Sequence, residues 1–492
     1  MTTRYALWVD DHWAPDADEA YRQPLEEVRR AVERALERNH CDVVWSTYAL
    51  ASEAGTELAA NAARYSLVIV DFDYAGQAQG WDHLLRVMGA HGVWFVVLSA
   101  FPAHAERYVN NAPHRRSCIG IFNKDKAGRR ALVDRVTGFF RAPPLRIAHV
   151  SDLHCSATAV GARDQERMFA ALVDTLRAAH AERAITLLVL SGDFASGRPA
   201  EDLVVARDVV RAIIDATIGR KALRRCLVVP GNHDIEWEDF GGQRLAPRPW
   251  LGFLEFYQDI FQGTDIPSEM AAWRPEHARF DHRASVSDLI WHRPLPEIGV
   301  SAVGISTPIA QGRPSELPPG ETYRDAQGQG EFTDAHDAFI RQAWGHPRAP
   351  GELRLAVMHH NLMATLATSR YDEKRVLRNP GQAMLTLADS RCTLVFSGHT
   401  HAPNLFRIAG GMVGRASLEM RDELVVAAAG TTGGLHPGGD RGRSFSLLDL
   451  SHAHVDSGTR ELTMWPFLYD SQVGRWDRVG EKGATPPHAL VR

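Results

Sequence analysis

Two histidines one residue apart, His399 and His401, stand in the stretch "FSGHTHAPN" directly after the apolar run "CTLVF". Such a run reads as a buried strand, and Gly398 after it lets the backbone turn sharply and approach a neighbour closely. The pair then sits on a loop at a strand end. Alone it could equally be two solvated bystanders, so partners elsewhere decide its meaning. "LRIAHV" is followed by "SDLH" with Asp152 and His154, and "ITLLVL" by "SGDF" with Asp193. "CLVV" is followed by "PGNHD" with Asn232, His233 and Asp234, and "LRLAVM" by "HHN" with His359 and His360. Five strand ends thus deliver carboxylates, imidazoles and a carboxamide to what is expected to be one sheet edge, where open α/β folds place their ligands.

The donor types set the chemistry. Asp, His and Asn without thiolates suit Mn, Fe or Zn better than a soft-metal centre or an all-oxygen Ca site. Eight coordination places filled by seven residues require one shared ligand, and the central Asp193 is the best bridge. A bridging carboxylate holds two ions about 3.5 to 4 Å apart, a spacing used to activate water, polarise a phosphoryl oxygen and offset charge in an in-line displacement. Phosphoester hydrolysis with two divalent ions is the expected use.

The elements that must position these residues fall into two series. Up to about residue 140 the runs "YALWV", "DVVWS", "SLVIV", "VWFVVLS" and "IGIF" alternate with amphipathic stretches such as "EEVRRAVERALER". That is the pattern of a parallel sheet with helices on its faces. The prolines of "RAPPLR" break it, giving an expected linker at 141–146. A second α/β series occupies 147–450, and 451–492 reads as further strands and a tail.

The blocks "DLH … GDF … GNHD … MHH … GHTH" resemble the calcineurin-like metallophosphoesterase superfamily over roughly Leu145 to Leu450. The resemblance implies a four-layer α/β/β/α domain. It implies one metal held by Asp152, His154, Asp193 and His401 and another by Asp193, Asn232, His359 and His399. His233 would contact the phosphate, either protonating the leaving oxygen or stabilising the phosphoryl group, with Asp234 orienting it through the other ring nitrogen. His360 is expected behind the ligands or facing substrate, and His149, inside its strand, is expected to be structural. Many relatives carry a second acidic residue shortly after the "GD" pair, where this chain has Ser196 in "GDFAS". "HVSDLH", "VVPGNHD" and "VAAAGTTGG … SFSLLDL" are most similar to class III cyclic nucleotide phosphodiesterases, implying a nucleotide or cyclic nucleotide as substrate, with a nuclease as the alternative.

In the first series "LWVDD", "LVIVDFD", "VVLSA" and "IFNK" resemble a response-regulator receiver domain, a flavodoxin-like five-stranded parallel sheet over residues 1–140. The match implies Asp71 as phosphoacceptor, Asp10 and Asp11 holding Mg with it, Lys124 pairing with the phosphoryl group and Ser99 sensing it. Lys124 is followed by Asp125 in place of the usual Pro, and "FDYAGQAQG" lacks the usual Met and Pro. A histidine kinase or other phosphodonor becomes an expected partner, and the region is expected either to control hydrolysis or to serve as a dimerisation surface. A non-catalytic scaffold has no use for seven metal-binding residues at five strand ends.

Residues 235–298 carry Trp237, Trp250, Phe253, Phe256, Tyr257, Phe261, Trp273 and Trp291. A segment this long suggests a helical cap, its aromatics either stacking on a nucleobase or forming the cap's own core. The chain has 492 residues, 45% of them hydrophobic, and a formal charge of -5. That length suggests two or three domains, and the charge gives no general attraction to nucleic acid or anionic membrane. The short basic stretch "GRKALRR" reads as a solvated helix end. Cys41, Cys118, Cys155, Cys226 and Cys392 lie far apart, which excludes a disulfide framework and a thiolate zinc site. With neither a leader nor an apolar run of spanning length, the expected location is cytoplasmic.

Overall fold

The computed structural model describes the chain apart from residues 1, 38–40, 73–77, 91–92, 112–117, 142–143, 159–161, 237–247, 276–278, 282–283, 309–327, 347, 349–351, 364–375, 409–410, 414–415, 419–423, 434–442, 452–459, 480–487 and 492. Its first sheet comprises β1 (Thr2–Val9), β2 (Cys41–Tyr48), β3 (Leu67–Asp71), β4 (Trp94–Ser99) and β5 (Cys118–Asn123). All are parallel, in the order β2-β1-β3-β4-β5. That is the doubly wound, flavodoxin-like order. Strand period two sends Ala6 and Trp8 to α1 (Glu19–Glu37) and α5 (Lys126–Arg141), and Leu7 and Val9 to α2 (Ala51–Asn61), α3 (Ala78–Ala90) and α4 (Pro102–Asn111). Burial on both faces explains why β1, β3 and β4 read as near-continuous apolar runs, while the edge strands β2 and β5 are only partly buried.

The second region has two mixed sheets. One contains β6 (Leu145–Val150), β7 (Leu187–Leu190), β8 (Cys226–Val228), β19 (Ser444–Leu450), β20 (Arg460–Asp470), β21 (Arg475–Arg478) and β22 (His488–Val491). The other runs β11-β12-β13-β14-β18-β15, from β11 (Trp291–Leu295), β12 (Val300–Ile305), β13 (Leu353–Met358), β14 (Leu394–Ser397), β15 (Asn404–Ile408) and β18 (Leu424–Ala428). Two short hairpins, β9 (Trp273–Arg274) with β10 (Arg279–Phe280) and β16 (Gly411–Val413) with β17 (Ala416–Leu418), lie apart from them. Leu355 and Val357 face the core shared with the first of these sheets, while Ala356 and Met358 face α9 (Asp334–Ala343) and α10 (Pro380–Asp389). On the opposite side α6 (Ala162–Glu182) and α7 (Pro199–Ala216) complete the α/β/β/α layers.

Two expectations need correction. Leu145 and Arg146 are not linker: Leu145 is fully buried and pairs with Leu450, so β6 begins directly after Pro144. The aromatics of 250–291 form neither a separate cap core nor an exposed stacking surface. Phe253, Tyr257 and Phe261, on or just after α8 (Leu251–Ile260), are buried in the main core, and Phe256 packs 4.9 Å from Phe194. Trp291 opens β11 and donates its indole N–H to the Val228 carbonyl at 2.9 Å, tying the two sheets together. Trp237 lies outside the described residues. Between the regions, the Arg183 guanidinium lies 4.7 Å over the Trp94 ring and pairs with Asp449 at 3.0 Å.

Candidate metal centre

The ligand-bearing loops come from both sheets of the sandwich. Asp152 and His154 follow β6, Asp193 follows β7 and Asn232 follows β8, whereas His359 follows β13 and His399 and His401 follow β14. The site therefore sits on the rim of two stacked sheets instead of at one sheet edge. Backbone bonds weld the loops: Asp152 N–H to the Gly192 carbonyl at 2.9 Å, His154 N–H to that of Asp193 at 3.0 Å and Gly398 N–H to that of His359 at 2.9 Å.

The donor atoms gather in two groups. In one, Asp152 Oδ1 lies 3.1 Å from His401 Nε2 and 3.8 Å from His154 Nε2, which is 3.4 Å from His401 Nε2 and 3.8 Å from Asp193 Oδ2. In the other, His359 Nε2 lies 3.3 Å from that same Asp193 Oδ2, 3.1 Å from Asn232 Oδ1 and 3.2 Å from His399 Nδ1. Bonds of about 2.1 Å to one ion put neighbouring ligands about 3.0 to 3.4 Å apart, which most of these distances match. Asp193 Oδ2 belongs to both groups.

Three further features fit bound cations. Asp152 Oδ2 accepts from Ser151 Oγ at 2.5 Å and from His399 N–H at 3.1 Å, which leaves its buried Oδ1 to the ring nitrogens of His401 and His154. Backbone carbonyls fix the rings: His359 Nδ1 faces Ser191 O at 2.7 Å and His399 Nε2 faces Gly328 O at 2.9 Å. Each ring donates there, so its opposite nitrogen points inward and offers a lone pair once deprotonated, the usual support of a metal-binding imidazole. Finally, Asp152, His154, Asp193, His399 and His401 all have left-handed backbone, at φ 53, 43, 55, 67 and 57; Arg391 is the sixth such non-glycine position among the described residues. That conformation costs a side-chain-bearing residue about 1 to 2 kcal/mol, and such strain concentrates at functional sites. Gly398 serves the close approach its type suggested: a Cβ there would stand 2.1 Å from Ser151 Oγ and 2.6 Å from Asp152 Oδ2.

His233 is partly exposed at the mouth, its ring 4.9 Å from that of His154. Its Nδ1 faces the Ser196 carbonyl at 3.1 Å, so the backbone of the residue that departs from the family pattern orients the ring. Asp234 does not. Its Oδ1 accepts from Phe194 N–H at 2.8 Å and Ala195 N–H at 3.0 Å, and its Oδ2 from Gly231 N–H at 2.7 Å. The expected orienting role falls because this buried carboxylate is spent in locking the Asp193 loop to the Asn232 loop. His360 is fully buried with Nδ1 2.9 Å from Thr307 Oγ1, and His149 is buried with Nε2 2.9 Å from Ser191 Oγ. Sequence reasoning missed Asn361, whose amide donates to Thr400 Oγ1 at 2.8 Å and whose carbonyl accepts from Ser397 Oγ, bracing the His399 loop.

Charge is balanced within the cluster. Burial works to lower the His359 pKa, but Asp193 and Asp152 overcome it and hold it at about 9. Burial works to raise the Asp193 carboxyl, yet His359, His233 and His154 keep it well below the carboxylate range. Burial pushes His154 down to about 4. Burial, then the charge of Asp193, pushes Asp234 up to about 7 against its backbone N–H bonds.

A second acidic pocket lies at the strand ends of the first sheet. Asp10 and Asp71 are buried, Lys124 Nζ pairs with Asp71 Oδ2 and stands 3.7 Å from Asp10 Oδ2, and Asp11 is exposed. Burial and then Asp10 push Asp71 up to about 7, with Lys124 opposing them. Ser99 Oγ is engaged away from Asp71, donating to the Phe72 carbonyl at 2.8 Å and accepting from Phe101 N–H at 2.9 Å. Part of "FDYAGQAQG", residues 73–77, lies outside the described residues.

Among curated proteins none matches the chain. Among solved structures, the crystal structure of a response regulator receiver domain protein from Clostridium thermocellum matches at 14% identity and TM-score 0.19. The match covers 27% of this chain and 90% of that one, an overlap that leaves the first sheet to be judged by its own strand order. Among the described residues no helix is long and apolar enough to cross a membrane. The calcineurin-like phosphoesterase model matches residues 145–403, just over half of the chain and the span that holds both donor groups; the chain belongs to that family of metal-dependent phosphoester hydrolases.

Proposed function

We propose that the chain is a two-metal phosphodiesterase acting on a nucleotide or cyclic nucleotide, with its activity set by the receiver-like first region. The observation that carries the two-metal reading is the sharing of Asp193 Oδ2 between two donor groups built on left-handed backbone. Asp152, His154, Asp193 and His401 would hold one ion, and Asp193, Asn232, His359 and His399 the other. Bound there, such ions supply an activated water and charge neutralisation for in-line displacement at phosphorus. The protein's own share is positional. Asp193 Oδ1 accepts from His233 N–H at 2.8 Å, so the bridging residue also places the catalytic candidate. With Nδ1 held by Ser196, His233 Nε2 is the atom that touches phosphate and, when protonated, hands its proton to the leaving oxygen. The nucleotide class is supported by the resemblance of the "HVSDLH" and "VVPGNHD" blocks, and receiver control by Asp71, Lys124 and the acidic pair at the strand ends of the first sheet.

The test is hydrolysis by purified protein with Mn²⁺ of cyclic mononucleotides, dinucleotides, single-stranded DNA and a phosphopeptide, alongside metal analysis of Asp193→Asn. A cyclic nucleotide or dinucleotide should be cleaved. Asp193→Asn should lose metal and activity while keeping the wild-type circular dichroism spectrum. Full activity in Asp193→Asn would sink the two-metal reading; cleavage of the phosphopeptide or single-stranded DNA alone would sink the substrate class.

A further inference from the structure

The acidic pocket of the first sheet contains a ligand type that its oxygen-only reading leaves out. Asp10 caps a single 3₁₀ turn, Asp11–Trp13, by accepting the His12 N–H at 3.0 Å. That turn folds the His12 ring back over the acids, with Nδ1 2.7 Å from Asp10 Oδ1 and 3.0 Å from Asp11 Oδ1. The ring lies 5.2 Å from that of Tyr21, and Arg22 donates to the Ala14 carbonyl at 2.6 Å, fastening the turn to α1. Asp10, Asp11, His12 and Asp71 each offer one donor atom within 4.8 Å of all the others.

An acidic cluster alone would say little, since carboxylates gather at surfaces without ions. Here two oxygens, Asp10 Oδ2 and Asp71 Oδ1, are buried without a hydrogen-bond partner, on residues only 1% and 8% exposed; Lys124 Nζ stands 3.7 Å from the first, beyond hydrogen-bond reach. Leaving such atoms unsatisfied is costly, and a bound cation is one of the standard ways of satisfying them. The donor set then bears on which cation. Mg²⁺ prefers oxygen ligands in strict octahedral geometry and keeps much of its water, whereas an imidazole favours first-row transition ions. Ligand pairs 2.7 and 3.0 Å apart are close to the edge of an octahedron with bonds of about 2.1 Å.

We propose that Asp10, Asp11, His12 and Asp71 form a mixed nitrogen–oxygen site in which His12 is a ligand, so that the pocket selects a first-row transition dication over Mg²⁺. The alternative is that His12 only hydrogen-bonds the carboxylates and competes with any cation for them. The two differ in sign when the ring is removed. The readout is binding, so it stands whether or not the phosphoesterase reading survives.

Equilibrium dialysis of the full chain with Mg²⁺, Mn²⁺ and Zn²⁺ measures total binding, and subtracting the Asp10→Ala isotherm isolates the pocket from the phosphoesterase centre. The wild-type pocket should bind Mn²⁺ and Zn²⁺ at least about tenfold more tightly than Mg²⁺. His12→Ala should weaken Zn²⁺ by about tenfold or more and Mg²⁺ by less than about twofold. His12→Gln, which keeps a hydrogen-bond donor without the imidazole, should behave like His12→Ala, with circular dichroism confirming that both fold. Tighter binding of any cation in His12→Ala, equal weakening of Mg²⁺ and Zn²⁺, restoration by Gln, or no cation in the wild-type pocket would each overturn the proposal.

Discussion

Replacing Asp234 by Asn separates the role the structure gives this residue from the one its sequence position suggests. The carboxylate accepts three backbone N–H bonds, from Phe194, Ala195 and Gly231. An amide of the same shape can keep the two bonds to one oxygen, but its NH₂ group then faces the Gly231 N–H across what was a 2.7 Å bond. Losing a hydrogen bond to a charged acceptor costs about 1.5 to 3 kcal/mol, and the donor-to-donor contact brings the total to about 3 kcal/mol. For a domain of this size the melting temperature should fall by about 4 to 5 °C. Because the bonds join the loops of Asp193 and Asn232, metal content should fall as well, and a shift of about 1 Å in those ligands should slow turnover about 10²-fold for good and poor leaving groups alike. Thermal melts, metal analysis and hydrolysis of aryl phosphodiesters with graded leaving groups measure all three. If melting temperature and metal content are unchanged and only poor leaving groups suffer, Asp234 acts through His233 and the loop-locking account is wrong.

Other outcomes follow from the same geometry. His233→Asn should retain both metals and slow turnover about 10² to 10⁴-fold, with a very good leaving group suffering least; equal slowing of all substrates would favour phosphate binding over proton donation. Arg391, at the C-terminal cap of α10, is exposed and left-handed at φ 57, with its N–H on the Ala388 carbonyl at 2.9 Å, so Arg391→Gly should raise stability by about 0.5 to 1 kcal/mol in denaturant melts. A beryllofluoride mimic on Asp71 should change the hydrolysis rate of wild type and not of Asp71→Asn. Equal rates throughout, with binding of the mimic confirmed, would leave the first region as an assembly module.

The strand ends were legible because an apolar run followed by Asp, His or Asn is a local pattern, and so was the parallel first sheet, whose central runs lie buried on both faces. What stayed hidden depends on distant partners. Nothing near Asp234 announces the N–H groups of Phe194 and Ala195, some forty positions away. Trp291 looks like part of an insert until Val228 supplies its acceptor and the second sheet its place. Left-handed backbone at Asp152 or His401 leaves no mark in the sequence, since it is imposed by loops bonded to one another and not by a glycine. His12 was passed over because its role depends on a turn that reverses the direction of its ring.

The contact between Trp94 and Arg183 has a bearing on how one half could speak to the other. Trp94 is the first residue of β4 and Ser99 the last, so the contact lies about 17 Å along the strand from the hydroxyl beside the acidic pocket. Arg183 precedes β7, whose far end leads to the Asp193 loop. One chain segment thus leads from the junction to each chemical site. Control can run through that junction, or between molecules, with the first region of one chain acting at the catalytic mouth of another. Control between molecules would depend on dilution, and mixing Asp71→Asn with Asp193→Asn, each defective alone, would restore regulated hydrolysis. A response that ignores concentration would instead mean that the signal travels lengthwise through β4, the Arg183–Asp449 pair and β7.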